Sequence, residues 1–260
     1  MDVLVEERRQ RVLDLVSQRG YATLDVLAKS ISVSESTIRR DVKYWDKEGL
    51  LRRTRGGAVW MGSAASLPPL EDRSGSQLEE KRRIARAAAS RIRDGDSVLL
   101  DGGTTTLEVA RLLVGRAVQV VTNSLPIAAL FSSRQEADLV LLGGYIYPRT
   151  GVALGPWTVR MMEDIHVRQA ILSVGGVTDK GLFNSNLLLV ETERQMMRCA
   201  DEAVVVADHT KIGRPALAFL CELASIDTLI VDDDLTPDQR RLLDQTDVRV
   251  ILAGAAEEKE

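Results

Sequence analysis

Ser36, Thr37, Arg39, Arg40, Lys43 and Lys47 recur at short intervals, and Arg52, Arg53 and Arg55 follow within one brief stretch. A helix has about 3.6 residues per turn, which sets Ser36, Arg39, Arg40, Lys43 and Lys47 on one side. Ile38, Val42 and Trp45 fall on the other side, as a core-facing stripe does. Arginine is the commonest reader of guanine edges, whereas contacts to phosphate give affinity without sequence information. The chemistry expected of this face is recognition of nucleic acid. Ser36, Thr37, Arg39 and Arg40 are the candidates for base edges, and Lys47, Arg52 and Arg53 for phosphate.

A second set lies in loops. Asp101, Gly102, Gly103, Thr104 and Thr105 follow one short apolar run, and Thr122, Asn123 and Ser124 follow the next. Gly143 with Gly144, Gly175 with Gly176, and Asp208 through Lys211 follow three more. Glycines let backbone N–H groups approach an anion, threonines add hydroxyl donors, and a helix start favours negative charge. No Gly-Lys-Ser/Thr stands at P-loop spacing, and the third glycine of a dinucleotide fingerprint is missing. A small phosphorylated ligand fits better than a nucleotide. The only histidines are His166 and His209, with no Cys–His pairing and no metal-ligand spacing, so no cofactor, metal or catalytic set is expected.

These sets need elements to hold them. The pattern predicts a helix over 3–18, a short helix over 24–31 capped by Thr23, and a second over the stretch begun by Ser34, which can cap it. Gly49 is expected to end that helix. Strands at 50–54 and 58–60 around Arg55-Gly56-Gly57 then form a wing. That is a winged helix-turn-helix, whose second helix enters the major groove. Arg8, Arg9 and Arg11 add a basic start that could reach the phosphate backbone. Residues 62–77, rich in small residues and Pro68-Pro69, read as a linker. From residue 96, short apolar runs at 98–100, 118–121, 139–142, 170–174, 203–206, 229–231 and 249–252 alternate with helical stretches. Strands buried on both faces and separated by helices describe a mostly parallel α/β sheet. The expected domains are 1–61, 62–77 as linker, and 78–260, with a frayed charged tail at 257–260.

Net charge is −4 over 260 residues, which at first argues against a nucleic-acid partner. Its distribution argues for one. Residues 1–60 hold 12 Lys/Arg against 9 Asp/Glu, whereas the remainder holds 22 against 29. A basic head on an acidic body binds DNA with one end. No apolar run is long enough for a bilayer, and residues 1–11 are too charged for a signal peptide. Cys199 and Cys221 read as two buried thiols in a reducing compartment, so a cytoplasmic location is expected.

Gly20, Leu24, Leu27, Val33-Ser34, Thr37-Ile38-Arg39-Arg40-Asp41, Gly49-Leu50 and Gly56-Gly57-Ala58 resemble the winged helix-turn-helix of DeoR-family bacterial transcriptional regulators. The resemblance continues through Asp101, Gly103-Thr104-Thr105, Thr122-Asn123-Ser124, Gly143-Gly144, Gly155-Pro156, Gly176, Gly181, Asp208, Lys211 and Gly213, and so covers nearly the whole chain. It implies a second domain related to ribose-5-phosphate isomerase and the sugar-phosphate deaminases that senses a phosphorylated sugar. By that resemblance Gly103–Thr105 hold the phosphate, with Thr122-Asn123 and Gly143-Gly144 around it. Lys211 supplies a cation and Asp101 meets sugar hydroxyls. Tyr147, Thr178 and Glu193 depart from the family's usual arginine, aspartate and lysine, which puts the ligand's identity in doubt more than its class.

The function expected is therefore a DNA-binding regulator, a repressor of carbohydrate-metabolism genes relieved by a sugar phosphate and working as a homo-oligomer. The alternative is a sugar-phosphate isomerase or deaminase with a DNA-binding appendage, using Asp101, Asp179, Glu191 and Lys211 for acid–base work.

Overall fold

The computed structural model describes residues 3–19, 21–47, 50–60 and 74–254, which form two compact units. Most of the expected linker, Gly49 and the expected tail lie outside the described residues.

The smaller unit runs α1 (Val3–Arg19), β1 (Tyr21–Thr23), α2 (Leu24–Ile31), α3 (Glu35–Lys47), β2 (Leu51–Arg53) and β3 (Gly57–Trp60). The Thr23 hydroxyl accepts from Val26 N and starts α2, and Ser32 ends it in the left-handed region at φ 60°. Ile38 and Val42 of α3 are fully buried against Val12, Val16 and Leu27, so the apolar stripe faces inward as its spacing requires. β1, β3 and β2 form an antiparallel sheet in that order. β1 is absent from the sequence reading, because three residues are too few to show alternation.

A buried carboxylate ties α1 to α3 in this unit. The Asp41 side chain on α3 is 1% exposed, and Arg8 of α1 grips it with two hydrogen bonds, Nε to Oδ2 at 2.6 Å and Nη2 to Oδ1 at 3.0 Å. Arg9 Nε lies 3.5 Å from Oδ1, and its guanidinium sits 4.0 Å from the centre of the Tyr44 ring. Trp45, half-buried rather than a full core anchor, donates from Nε1 to Arg9 O at 2.7 Å. The Asp41 pairing also lifts the Arg8 guanidinium above its ordinary value.

In the larger unit, β4 (Ser97–Leu100), β5 (Gln119–Thr122), β6 (Asp138–Leu141), β9 (Val167–Ser173), β12 (Ala200–Ala207), β14 (Thr228–Asp232) and β15 (Arg249–Ala253) form one sheet. Its order is β15-β14-β12-β9-β4-β5-β6, and every described neighbour pair is parallel. These are the seven runs expected as strands. Helices α4 (Leu78–Ala89), α5 (Thr104–Leu113), α6 (Leu125–Phe131), α7 (Pro156–Met161), α8 (Leu187–Arg198) and α9 (Pro237–Asp244) also match expected stretches. Ile84, Ala88, Val109, Leu113 and Phe131 pack on Val98, Leu100, Val120, Ile171 and Val204 to make one continuous core.

Two antiparallel additions went unpredicted. β7 (Tyr145–Tyr147) pairs with β8 (Val152–Leu154), and β10 (Gly176–Thr178), β11 (Gly181–Asn184) and β13 (Ala218–Cys221) form a small sheet. Cys199 is buried but Cys221 is only half-buried, which corrects the expectation of two buried thiols. Burial still pushes both thiols up, Cys221 to about 11, so neither is a ready nucleophile.

Replacing Asp41 with alanine removes the acceptor that two arginines share and leaves their charges uncompensated. Urea denaturation should show a loss of about 2–4 kcal/mol in the amino-terminal unit. A loss below about 0.5 kcal/mol would mean that the bridge contributes nothing.

Candidate DNA interface and effector site

The exposed side of α3 carries the predicted cations. Arg40, Lys43 and Lys47 are exposed and make no hydrogen bond or ion pair with other described residues. Arg39 is also exposed and pairs with Glu35 one turn earlier at 3.2 Å. At the start of α3, Ser34 Oγ accepts from Thr37 N at 3.3 Å and lies 2.9 Å from Ser36 Oγ and 3.0 Å from Thr37 Oγ1. The same hydroxyl cluster that caps the helix thus sits at the end expected to meet bases.

The wing is pinned from both sides. Arg53 N donates to Asp46 Oδ1 at 3.1 Å, Thr54 N to Gly57 O at 2.9 Å, and Leu24 N to Gly56 O at 3.0 Å. Arg52, Arg53 and Arg55 remain exposed on this turn. A concavity of about 380 Å³ between helix and wing is lined by Leu24, Arg39, Arg53, Thr54 and Arg55. Three arginines, Arg39 of the helix and Arg53 and Arg55 of the wing, thus border one hollow. The expectation for α1 needs correction: Arg8 and Arg9 are tied to Asp41 and hold α3 in place, so of the three only Arg11 is left exposed without such a tie.

In the larger unit the predicted loops all leave carboxyl ends of parallel strands. Gly103 caps α5, and Leu107 N returns to Gly103 O at 2.9 Å, leaving the first N–H groups of the helix to find other partners. Asp101 is 1% exposed, and its Oδ2 faces Ser173 N at 3.4 Å and Ser173 Oγ at 3.3 Å. The side chains of Thr104 and Thr105 are nearly buried and form no hydrogen bond among the described residues. Asn123 is fully buried: Nδ2 donates to Ala153 O at 3.0 Å, and Oδ1 has no hydrogen-bond partner among the described residues.

Other predicted residues are held by the fold itself. The Thr122 hydroxyl donates to Leu100 O at 2.6 Å and accepts from Ser124 N at 3.1 Å, stitching β5 to β4. Ser124 Oγ caps α6. A Cβ on Gly144 would stand 2.1 Å from Thr158 Oγ1, so that glycine makes room for α7. Gly143 is exposed, while Gly102 and Gly175 are half-buried and Gly176 is buried. Tyr147 is 5% exposed and packs in the β7–β8 hairpin, and the Thr178 hydroxyl accepts from Lys180 N at 3.1 Å.

Lys211 lies in a 3₁₀ turn after β12 (His209–Lys211), capped by the buried Asp208. The turn is held by Asp232, which accepts from His209 N at 2.7 Å and lies 2.8 Å from His209 Nδ1. Gln239 adds bonds to the carbonyls of His209 and Ile212. Asp234 completes an acidic cluster there, but its carboxylate already pairs with Arg83. Sequence reasoning missed Asp232 and Gln239, which lie some twenty to thirty residues from the turn they hold.

Two family models match this arrangement: a DeoR-like helix-turn-helix domain over residues 8–64 and a DeoR C terminal sensor domain over residues 76–233. The chain belongs to the DeoR family. DeoR relatives span nearly all of it. The glycerol-3-phosphate regulon repressor of Escherichia coli is 31% identical over 228 residues, covering 87% of this chain and 90% of its own. The transcriptional repressor GlcR of Bacillus subtilis is 31% identical over 257 residues, covering 98% and 99%. The structure of ribose 5-phosphate isomerase A from Methanocaldococcus jannaschii aligns over 52% of this chain and 55% of its own, at 21% identity and a TM-score of 0.38. Membership of the DeoR family makes the chain a DNA-binding transcriptional regulator and sets the enzyme alternative aside. Among the described residues no helix is long and apolar enough to cross a membrane.

Gly103→Ala tests the packing of the first effector loop. The added Cβ would lie 2.2 Å from Ser173 Oγ and 2.9 Å from Ser173 Cβ. Thermal unfolding should show a loss of about 1–3 kcal/mol in the larger unit; unchanged stability would mean that the loop yields freely.

Proposed function

We propose that the chain is a repressor of carbohydrate-metabolism genes whose grip on operator DNA is released by a phosphorylated sugar. The observation that carries this reading is the convergence of Asp101–Thr105, Thr122–Ser124, Gly175-Gly176 and Lys211 at carboxyl ends of parallel strands, beside the start of α5. Ligands of open α/β sheets bind at that edge, and a helix start favours a phosphate. The relatives' names, glycerol-3-phosphate regulon repressor and putative aga operon transcriptional repressor of Escherichia coli O157:H7, support a sugar-linked role. Lys211 supplies the cation, and Asn123 Oδ1 is available to a ligand hydroxyl. Release requires the sugar phosphate to favour one conformation; coupling of about 1–3 kcal/mol is typical.

On DNA, α3 enters the major groove with Ser36, Thr37, Arg39 and Arg40 toward base edges. Lys43, Lys47, Arg52, Arg53 and Arg55 meet phosphates. Two copies read paired half-sites, as dimeric helix-turn-helix proteins do. The self-association face is the β6 edge with α7. Val140, Leu141, Trp157 and Met161 are exposed there, Trp157 at 72%, although a parallel strand is ordinarily covered on both faces.

Arg40→Ala should flatten the preference for operator over random DNA in competition titrations. If both affinities fall equally, Arg40 is only a phosphate clamp. Lys211→Ala should raise the sugar-phosphate concentration needed for operator release by about tenfold, as loss of a charge-assisted contact predicts. Release at an unchanged concentration would remove Lys211 from the site. Trp157→Asp should shift the protein toward monomer in sedimentation velocity, whereas an unchanged oligomer would place the interface elsewhere.

A further inference from the structure

Glu193 on α8 is a fully buried acid of the larger unit. It is 0% exposed; Oε1 accepts from Asn184 Nδ2, and Oε2 has no hydrogen-bond partner among the described residues. Asn184 cannot supply a second bond, since Nδ2 also reaches Ser173 O at 3.5 Å and Oδ1 accepts from Ser185 N at 2.7 Å. Through Ser173 the cluster joins Asp101, the acid at the end of β4. Burial, and after it the charge of Asp101, hold the Glu193 carboxyl well above the usual carboxylate range. The adjacent Arg194 is committed elsewhere, donating to Leu220 O at 2.7 Å and Phe219 O at 2.9 Å.

Two buried acids linked through Asn184 and Ser173 resist ionising together without a cation. The α5 start, whose N–H groups suit a phosphate, adjoins this cluster, since a Cβ on its cap Gly103 would lie 2.2 Å from Ser173 Oγ. We propose that Glu193 and Asp101 form an ammonium-binding subsite, so that the effector is a phosphorylated amino sugar. The inference rests on the sugar-phosphate reading above and narrows its ligand class. A sugar hydroxyl could bond to Oε2, but it would leave the acids sharing a proton. An ammonium brings three donors and a charge, which satisfies Oε2 and stabilises both carboxylates. The balance is simple: the ligand keeps its R–NH₃⁺ protons, and the proton on Glu193 passes to the buffer. No covalent bond forms in the ligand.

The test is isothermal titration calorimetry of the full chain with glucosamine 6-phosphate and with glucose 6-phosphate, in two buffers of different ionisation enthalpy. The expected result is at least about tenfold tighter binding of the amino sugar, with proton release for that ligand alone. Glu193→Gln should lose both the preference and the proton release, with circular dichroism reporting that the variant is folded; the comparison on the parent chain needs no variant. Equal binding of the two sugars, or tighter binding without proton release, would overturn the inference and leave the sugar-phosphate reading standing. Binding of neither sugar phosphate would overturn both.

Discussion

Every described strand pair in the larger sheet is parallel, so its strands must finish on one edge. Each crossover then delivers a loop to that edge and, where a helix follows, a helix start with unpaired N–H groups. The rest of the unit follows from this constraint. The interiors of β4, β9, β12 and β14 become near-continuous buried apolar runs, as parallel strands do. Polar and glycine-rich residues are pushed into the loops, where Asp101, Asn123 and Asp208 end up buried yet polar.

The amino-terminal unit solves a different problem. A helix that presents cations to DNA must be rigid without using those cations for its own support. Asp41 resolves this by facing inward, where Arg8 and Arg9 reach it from α1. Arg40, Lys43 and Lys47 are left unpaired on the outward side. Arg39 keeps only a surface pair with Glu35, which is a weak tie. The arginines of one helix position the arginines of another, through a single buried carboxylate.

Much of this was legible in sequence because its period was long enough to read. The stripe Ile38, Val42, Trp45 fixed the inner face of α3, and all seven apolar runs became strands of one sheet. The Thr23 cap was legible because a hydroxyl before an apolar run has few other uses. The short strands of the two antiparallel additions were not, since Tyr145–Tyr147 or Gly176–Thr178 show no alternation that a loop could not also show. Site roles were harder. Thr122 and Gly144 were read as ligand groups, whereas their visible partners are Leu100 O and the α7 side chain Thr158. A threonine that stitches strands and one that holds phosphate look alike until the neighbour is known. Glu193 was noted only as a departure, because burial is a property of the fold and not of the residue.

The most direct test of this account is a fluorescence anisotropy titration on the DNA upstream of the chain's own gene. Random DNA serves as competitor, and the titration is repeated across a panel of phosphorylated sugars. The account predicts specific binding that one sugar phosphate weakens by about 5–150-fold, the range of ordinary allosteric coupling. Specific binding that no sugar phosphate alters would contradict it, and so would the absence of any preference over random DNA.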